Sequence, residues 1–448
     1  MQKDLTKGGV TASMMLFAGP LIAGNLLQQF YNVADTLIVG RVLGPDALAA
    51  VGSSYSIMVF VTSILLGLSM GSGILFSMFF GAGRTEELRR SACMSFTFIG
   101  GLTVVLEVGC LLLLYPILQL MQTPDSILEE TASYLRVIFI GMVFTFLYNY
   151  FASLLRSVGN SSVPLIFLAV AAVLNIGLDL FLVLVIPMGV AGAALATILS
   201  QAVSGIGLAV YTLAKMPELR PKKEDFAWDR GMAGKIAQYS LLTCAQQSVM
   251  NFGILMVQGL VNSFGVSVMA AFTAAVKIDS FAYMPVQDFG NAFSTFIAQN
   301  MGAKKTDRIR RGIRSAVISA VLFCVVISAV IWVWGGDLMT IFVSPEETEI
   351  IAIGVQYLHI EGACYFGIGC LFLLYGLYRG LGAPGISVVL TVISLGTRVA
   401  LAYCLAPIPQ IGLVGIWWAV PIGWFLADAV GFLYYGLSFR KKMEKMNL

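Results

Sequence analysis

The sequence predicts an all-α polytopic membrane protein with twelve transmembrane helices, arranged as two six-helix lobes related by a parallel internal repeat. Of the 448 residues, 58% are hydrophobic and only 11% are charged, whereas soluble domains carry about 25% charged residues. Apolar segments long enough to cross a bilayer recur along the chain, at about 20 residues per crossing. Motifs from the first half also return in the same order in the second half. The same composition gives no indication of nucleic-acid binding.

Six spans are predicted in each half of the chain. Those in the first half cover residues 13–37, 48–76, 92–118, 132–153, 162–185 and 189–212. Those in the second half cover residues 236–262, 267–296, 313–340, 352–376, 385–405 and 412–436. The N-terminal run has no convincing small-residue cleavage site, so we interpret it as a retained first span.

Charge divides the chain into domains and sets its orientation. The predicted domains are an N-terminal lobe at 1–214, a cytoplasmic linker at 215–232, a C-terminal lobe at 233–438 and a basic cytoplasmic tail at 439–448. Lysines and arginines collect in the linker, in the tail and in alternate loops, and such positive charge marks the cytoplasmic side of a membrane protein. Both termini are therefore expected in the cytoplasm, and the tail is expected to meet anionic lipid head groups.

The two halves of the chain are copies of one another. Residues 80–90, FGAGRTEELRR, match 301–311, MGAKKTDRIRR. Residues 154–159, LLRSVG, match 377–382, LYRGLG, and the two pairs of motifs have nearly the same separation along the chain. Because each unit has six spans, both copies enter the membrane from the same face. Such a chain builds two bundles that face a central cleft, and this architecture suits alternating access.

The first lobe carries the polar residues that suggest a function. Asp35 lies within an apolar segment, where a charge costs several kcal/mol and is normally retained for a task. Asn175 and Asp179 are four residues apart, so a helix places them on one face. By the repeat they correspond to Arg398 and Ala402, and the second lobe therefore lacks a counterpart. This pattern favours a small-cation site in the first lobe, although a silent buried pair or a capping role for Asp35 remains the structural alternative.

Several functional classes find no support in the sequence. None of the seven cysteines forms a CxxC pair, and the single histidine cannot build a His-rich metal site. No catalytic triad, P-loop or dinucleotide fingerprint is present, so neither an enzyme nor an ATP-driven pump is expected, and no cofactor beyond a coupling ion is implied. A passive channel fits poorly, since channels present rings of like groups or a filter sequence.

The segments QQFYNVADTLIVGRVLGPDALAAVG, LLRSVGNSS and LNIGLDL, with the basic loop after the second span, resemble the multidrug and toxic compound extrusion (MATE) transporters. The resemblance covers essentially the whole chain and is nearer to the DinF-type than to the vibrio-type members. It implies a bacterial plasma-membrane antiporter that exports amphipathic, cationic drug-like compounds in exchange for H⁺ or Na⁺, with a monomer as the default. The nearest alternative is a lipid-linked oligosaccharide flippase of the same superfamily, although such relatives often have fourteen spans and an arginine-lined cavity.

The resemblance also assigns residues. It implies a cation-coupling set in the first lobe and a bend of the first helix at Pro20, and it makes Asp35 and Asp179 metal ligands only if Na⁺ is the coupling ion. Proline removes an amide donor and clashes with the preceding turn, so a kink there is physically reasonable. The coupling set is Asp35, Asn149, Asn175, Asp179 and Thr197.

The second lobe departs from the vibrio-type pattern. Its seventh span has Gln246 and Gln247, and residues 366–375 in the middle of the tenth span include no acid. A weaker polar site in this lobe is predicted at Lys277, Asp279 and Gln246, with a structural role equally open. Arg398 is the best candidate there for a structural ion pair, with Glu361 as its partner.

Overall fold

The computed structural model describes residues 3–121 and 123–439, and nearly all of them are helical. The predicted basic tail therefore lies outside the described residues, except for its first residue. The helices of the first half are α1 Val10–Val42, α2 Pro45–Gly81, α3 Thr85–Leu112, α4 Leu114–Leu120, α5 Leu128–Ile140, α6 Met142–Ser157, α7 Ser162–Asp179 and α8 Gly189–Lys215. Those of the second half are α9 Arg230–Asn262, α10 Val266–Gly302, α11 Thr306–Met339, α12 Thr348–Ala363, α13 Tyr365–Gly380, α14 Pro384–Leu405 and α15 Gly412–Tyr434.

Ten helices in the described ranges are long and apolar enough to cross a membrane. Two further spans are built from bent pairs, α5 with α6 at 47° and α12 with α13 at 53°. Counting each pair once gives twelve spans, which agrees with the predicted number, and the all-α membrane fold is confirmed. The bends themselves were not predicted, because the sequence was interpreted as one continuous span at 132–153 and another at 352–376.

The internal repeat is visible in the backbone. The bends lie at Gly141 and Cys364, which are equivalent positions under the offset that relates the later sequence motifs. The turns after α2 and α10 also match, since Gly83 has a φ of 69° and Lys304, its equivalent under the earlier motif, has a φ of 56°. Glycine adopts this left-handed conformation freely, whereas a lysine is strained there. Both copies therefore keep the same loop geometry even where the residue changes.

The chain forms two compact units whose boundaries fall inside helices. One unit contains Gly19–Cys244 together with Lys3 and Asp4, and the other contains Leu5–Ala18 together with the described chain from Ala245 to residue 439. The first turns of α1 thus belong to the second unit, and the first half of α9 belongs to the first unit. Each of these two helices is shared, because its beginning packs in one unit and its remainder packs in the other.

The beginning of α9 packs closely against α2 within the first unit. A Cβ atom added to Gly67 would lie 2.6 Å from the Cα of Cys244, and Ser72 and Ser240 share a hydrogen bond of 2.8 Å. Glycines four residues apart on α2, Gly67 and Gly71, let the two backbones approach, as small residues do in membrane helix pairs. This contact fixes the first half of α9 in the first unit.

The linker segment 217–229 packs on α3 in the same unit. The buried Arg89 donates a hydrogen bond to the buried carboxylate of Asp225, which also accepts one from the backbone N–H of Lys222 at 2.7 Å. Burial alone raises the pKa of the Asp225 carboxyl, but these hydrogen bonds outweigh burial and hold that pKa below its ordinary value of 3.8.

The glycine contact yields a first prediction. A methyl group at Gly71 would collide with the carbonyl oxygen of Tyr239 and lie 2.5 Å from the Cα of Ser240, whereas one at Gly52 on the same helix would meet nothing within 4 Å. We expect Gly71→Ala to destabilise the protein by about 1–3 kcal/mol, as overpacking does. Gly52→Ala should be neutral or stabilising by up to about 1 kcal/mol. Melting temperatures in detergent check this, and equal melting temperatures would contradict the close contact.

The linker yields a second prediction, which depends on pH. Because the folded pKa of Asp225 is depressed, its contribution to stability is present above the ordinary pKa and is lost as pH falls through the folded value. Asp225→Asn should lower the free energy of unfolding by about 1–3 kcal/mol at pH 7. The difference from wild type should shrink below about pH 4. Melting curves between pH 7 and pH 3 test this, with the exposed Glu224→Gln as the matched control; a pH-independent difference would contradict it.

Candidate cation site

Two carboxylates meet inside the first unit. Asp35 lies on α1 and Asp179 is the last residue of α7, and their carboxyl groups lie close enough to interact directly. Asp179 is fully buried at 0% exposure, and Asp35 is half-buried. Two carboxylates in such contact cannot both stay ionised without a neutralising partner. The pair therefore requires a shared proton or a bound cation.

Most of the oxygen atoms of this pair, and a neighbouring amide oxygen, accept no hydrogen bond within the described part of the chain. Both carboxylate oxygens of Asp179, Oδ1 of Asp35 and Oδ1 of Asn175 are buried and receive no hydrogen bond from the described residues. Buried polar atoms are normally satisfied. Carboxylate and amide oxygens are the ligands that hard cations prefer. The donor set thus fits either a small hard cation or a network built around one proton.

Asp179 lies where the backbone changes from α-helix to π-helix. The α-helix α7 ends at Asp179, and a π-helical segment follows at Leu180–Val185. Such π-helical turns interrupt the regular hydrogen-bond register and often occur at functional sites. Asn175 lies one turn earlier, and its amide nitrogen donates to the Thr197 hydroxyl on α8 at 3.4 Å. The i, i+4 spacing of Asn175 and Asp179 therefore brings both side chains into one buried region.

The structure brings together four of the five predicted coupling residues, namely Asp35, Asn175, Asp179 and Thr197. The hydrogen bond described for the fifth, Asn149, is local, because its amide donates to the Thr145 carbonyl in its own helix at 2.9 Å. The sixth predicted residue, Pro20, lies inside α1, two residues after the point at which that helix passes from one unit to the other.

Two tyrosines beside the carboxylate pair were missed in the sequence. Tyr31 lies one turn before Asp35 on α1, and the buried Tyr134 on α5 lies near enough to both aspartates and to Tyr31 to interact with them electrostatically. A signal was available, because the repeat keeps a tyrosine at this position: Tyr134 corresponds to Tyr357 in the second copy. Phenol groups can donate to a carboxylate, so these residues complete the polar surroundings of the pair.

The second unit has a cavity of about 210 Å³ that contains a different charge arrangement. Asp279, Glu361 and Arg398 all line it, and the Tyr357 hydroxyl donates to Oδ2 of Asp279 at 3.4 Å. Glu361 is 0% exposed, and no donor among the described residues satisfies either of its carboxylate oxygens. Arg398 lies near enough to act electrostatically on both acids, and its guanidinium carbon is 5.9 Å from the centre of the Trp424 ring.

This arrangement differs from the predicted second-lobe polar site. Asp279 lines the cavity, whereas Lys277 is exposed and lies over the Phe342 ring at 5.8 Å. Residues two apart on a helix point in different directions, which explains the separation. Gln246 is buried at 2% exposure and is not one of the residues that line this cavity. The polar residues that join Asp279 are instead Glu361 and Arg398, from α12 and α14.

Comparison with known proteins gives a consistent result. The MatE family model matches residues 20–181 and again residues 241–404. The second match follows the first at nearly the same offset at its start and at its end, and this offset agrees with the internal repeat.

Two relatives cover nearly the whole chain. The probable multidrug resistance protein YpnP of Bacillus subtilis is 30% identical over 98% of both chains. The probable multidrug resistance protein NorM of Thermotoga maritima is 27% identical over 91% of this chain and 88% of its own.

Solved structures share the fold. A MOP superfamily transporter from Pyrococcus furiosus superposes with a TM-score of 0.91 at 22% identity, covering 99% of this chain and 98% of its own. A crystal structure of a MATE protein in complex with MaL6 superposes with the same TM-score, identity and coverage. At this level of identity the similarity demonstrates the fold alone.

The cavity of the second unit yields a third prediction. Arg398→Ala removes the positive charge that acts on two buried carboxylates, and we expect it to lower the free energy of unfolding by about 1–3 kcal/mol. Adding Glu361→Gln to that variant removes one carboxylate and should restore part of the lost stability. Melting temperatures of the two single variants and the double variant test this. The exposed Arg314→Ala is the control, and simple additivity of the two changes would contradict the interaction.

Proposed function

Since this chain belongs to the MatE family of multidrug transporters, we propose that it is a secondary active exporter, which moves amphipathic cationic compounds outward while protons or sodium ions enter. The family and the named relatives are transporters rather than enzymes, and the chain is a multi-pass membrane protein. The observation that carries the proposal is the contact between Asp35 and Asp179, with their donor-free oxygens.

In this proposal the cation enters the first unit and stabilises one arrangement of α1. Asp35 and Asp179 hold the proton or, if sodium is the coupling ion, serve as its carboxylate ligands, while Asn175 and Thr197 supply neutral oxygens. Asn149 is proposed as a further member of this set. Occupancy of the site draws Asp35 toward α7, and α1 bends at Pro20, where the proline ring removes one backbone hydrogen bond.

Substrate and cation then compete through one conformational equilibrium. A ligand shifts such an equilibrium only by the difference in its affinity for the two states. Substrate binds the state in which the first unit lacks its cation, and the cation binds the other state, so each lowers the affinity for its competitor. This reciprocal effect allows the protein to exchange substrate for cation without any chemical reaction.

The remaining parts of the proposal concern location and assembly. The chain is proposed to lie in the bacterial plasma membrane as a monomer with both termini in the cytoplasm, because its lysine and arginine clusters follow the positive-inside pattern. Drug-like small molecules are its proposed partners. The described cavity of the second unit carries one arginine beside two acids, Asp279 and Glu361, rather than an arginine-rich lining. This favours a drug exporter over the flippase alternative.

Ethidium efflux from proteoliposomes provides the test and the fourth prediction. A proton gradient and a sodium gradient are imposed separately, and wild type is compared with Asp35→Asn and Asp179→Asn. We expect one gradient to drive export and each substitution to reduce the driven rate by at least about tenfold, because a neutral amide cannot exchange a proton or hold a cation as a carboxylate does.

The exposed Asp46→Asn on α2 is the matched control and should transport normally. The ion whose gradient drives wild-type export is the coupling ion. If neither gradient drives efflux, or if folded Asp35→Asn and Asp179→Asn proteins transport like wild type, the antiporter proposal fails and the carboxylate pair has a structural role.

A further inference from the structure

A short peptide that precedes α1 is held within the second unit by several side chains, and one arginine makes four of the hydrogen bonds. Arg308, near the beginning of α11, donates from Nε and Nη2 to the Leu5 carbonyl at 3.1 and 3.0 Å. It also donates from Nη2 to the Lys7 carbonyl at 2.6 Å and from Nη1 to the Gly8 carbonyl at 2.7 Å. Arginine presents a rigid fork of donors, so one side chain can fix the path of a whole peptide turn.

Three neighbouring side chains complete this attachment. Asn300 donates to the Leu5 carbonyl at 3.2 Å, Gln299 accepts from the Leu5 N–H at 3.1 Å, and Lys305 donates to the Thr6 carbonyl at 2.8 Å. Gln299 and Asn300 are 0% exposed and Arg308 is 9% exposed. We call the peptide Leu5–Gly8, held by these four side chains, the N-terminal clasp.

The clasp lies at the start of the helix that carries the candidate cation site. The peptide leads directly into α1, whose first turns through Ala18 belong to the second unit with the clasp. The rest of α1, including Pro20 and Asp35, belongs to the first unit. The helix α1 is therefore anchored at its N-terminal end in the second unit, and it carries Asp35 in the first unit. Pro20 lies just after the boundary between the two units.

The repeat supplies an independent parallel. The segment that precedes α9 is also docked by an arginine on the third long helix of a unit, since Arg89 on α3 binds Asp225 of the linker. The first half of α9, like the first turns of α1, packs in the unit opposite to the remainder of the helix. The docking residues differ, because Arg308 corresponds to Glu87 in the first copy of the repeat. The segments that precede α1 and α9 are thus both bound to the unit in which the helix begins, but by arginines at different positions of the repeat.

We propose that the N-terminal clasp is the fixed point against which α1 bends, and that Arg308 is a positioning residue for ion-coupled transport. The inference rests on the proposed exchange function. A bend at Pro20 can do mechanical work only if the helix is held on both sides of the bend. The clasp holds the part of α1 before Pro20. The bound cation interacts with Asp35 and so acts on the part of α1 after Pro20. Loss of the clasp leaves the ligand sites intact but uncouples the movement of α1 from them.

The test separates binding from turnover. Ethidium binding to purified protein gives a dissociation constant, and gradient-driven efflux from proteoliposomes gives a maximal rate. For Arg308→Ala we expect the dissociation constant to stay within about twofold of wild type while the maximal rate falls by about tenfold. Arg308→Lys should recover part of the rate, because an ammonium group keeps the charge but not the fork. The exposed Arg310→Ala, on the same helix, is the matched control.

A second pair of variants changes the peptide rather than its arginine. Gly8 has a φ of 71°, so Gly8→Ala strains the clasp backbone, although the added methyl group would meet only Ser13 Oγ at 3.6 Å. Gly9→Ala adds a methyl group that lies 3.8 Å from the Ala12 Cβ, with no left-handed conformation to disturb. Gly8→Ala should reproduce the loss of rate seen with Arg308→Ala, and Gly9→Ala should not.

The outcomes are distinguishable. If wild type exports under an ion gradient but Arg308→Ala and Gly8→Ala export at its rate, the clasp inference is overturned while the antiporter proposal stands. A parallel loss of binding and melting temperature in Arg308→Ala, with a normal Gly8→Ala protein, would reduce the clasp to a structural anchor and also overturn it. If wild type shows no gradient-driven export, the proposed function fails first, and the role of the clasp falls with it.

Discussion

A negative charge in the interior of a membrane protein must be neutralised, and the first unit is arranged around this constraint. Asp35 and Asp179 meet where no described donor reaches three of their four oxygens. Helices α1, α5, α7 and α8 all contribute side chains to that region. A fixed cation from the protein would satisfy the pair permanently. An exchangeable proton or metal ion satisfies it only while bound, and this difference makes the pair suitable for coupling.

The second unit meets the same constraint in a different way. Its acids, Asp279 and Glu361, share a cavity with Arg398, which occupies the repeat position of Asn175. The corresponding position of Asp179 is the buried Ala402. One copy of the repeat therefore has a neutral amide and a carboxylate pair in which three of the four oxygens receive no hydrogen bond from the described residues. The other copy has an arginine at the equivalent position of the amide. The duplicated fold has kept its loops and bends while its two polar interiors have diverged.

Much of this could be predicted from the sequence, because the signals are local. Span number, the repeat, and the shared face of Asn175 and Asp179 follow from hydropathy, motif spacing and helical periodicity. The bends at Gly141 and Cys364 were not predicted, since neither span contains a proline to mark a break. The grouping of Asp279 with Glu361 and Arg398 depends on the packing of three helices distant in sequence, as does the contact of Asp35 with Asp179. Asn149, Thr197 and Pro20 came from resemblance. The roles of all the residues in the coupling set, and of Pro20, stay predictions.

The sharing of α1 and α9 between the units also constrains how the chain is made. The first unit is complete only when the chain through Cys244 has been synthesised, well after its own six spans. The peptide before α1 is translated long before its binding partners on α10 and α11, since Leu5 and Gln299 are separated by 294 positions. The hydrogen bonds that hold this peptide can therefore form only after most of the chain has been synthesised, and each unit is completed by a segment from the other half of the chain.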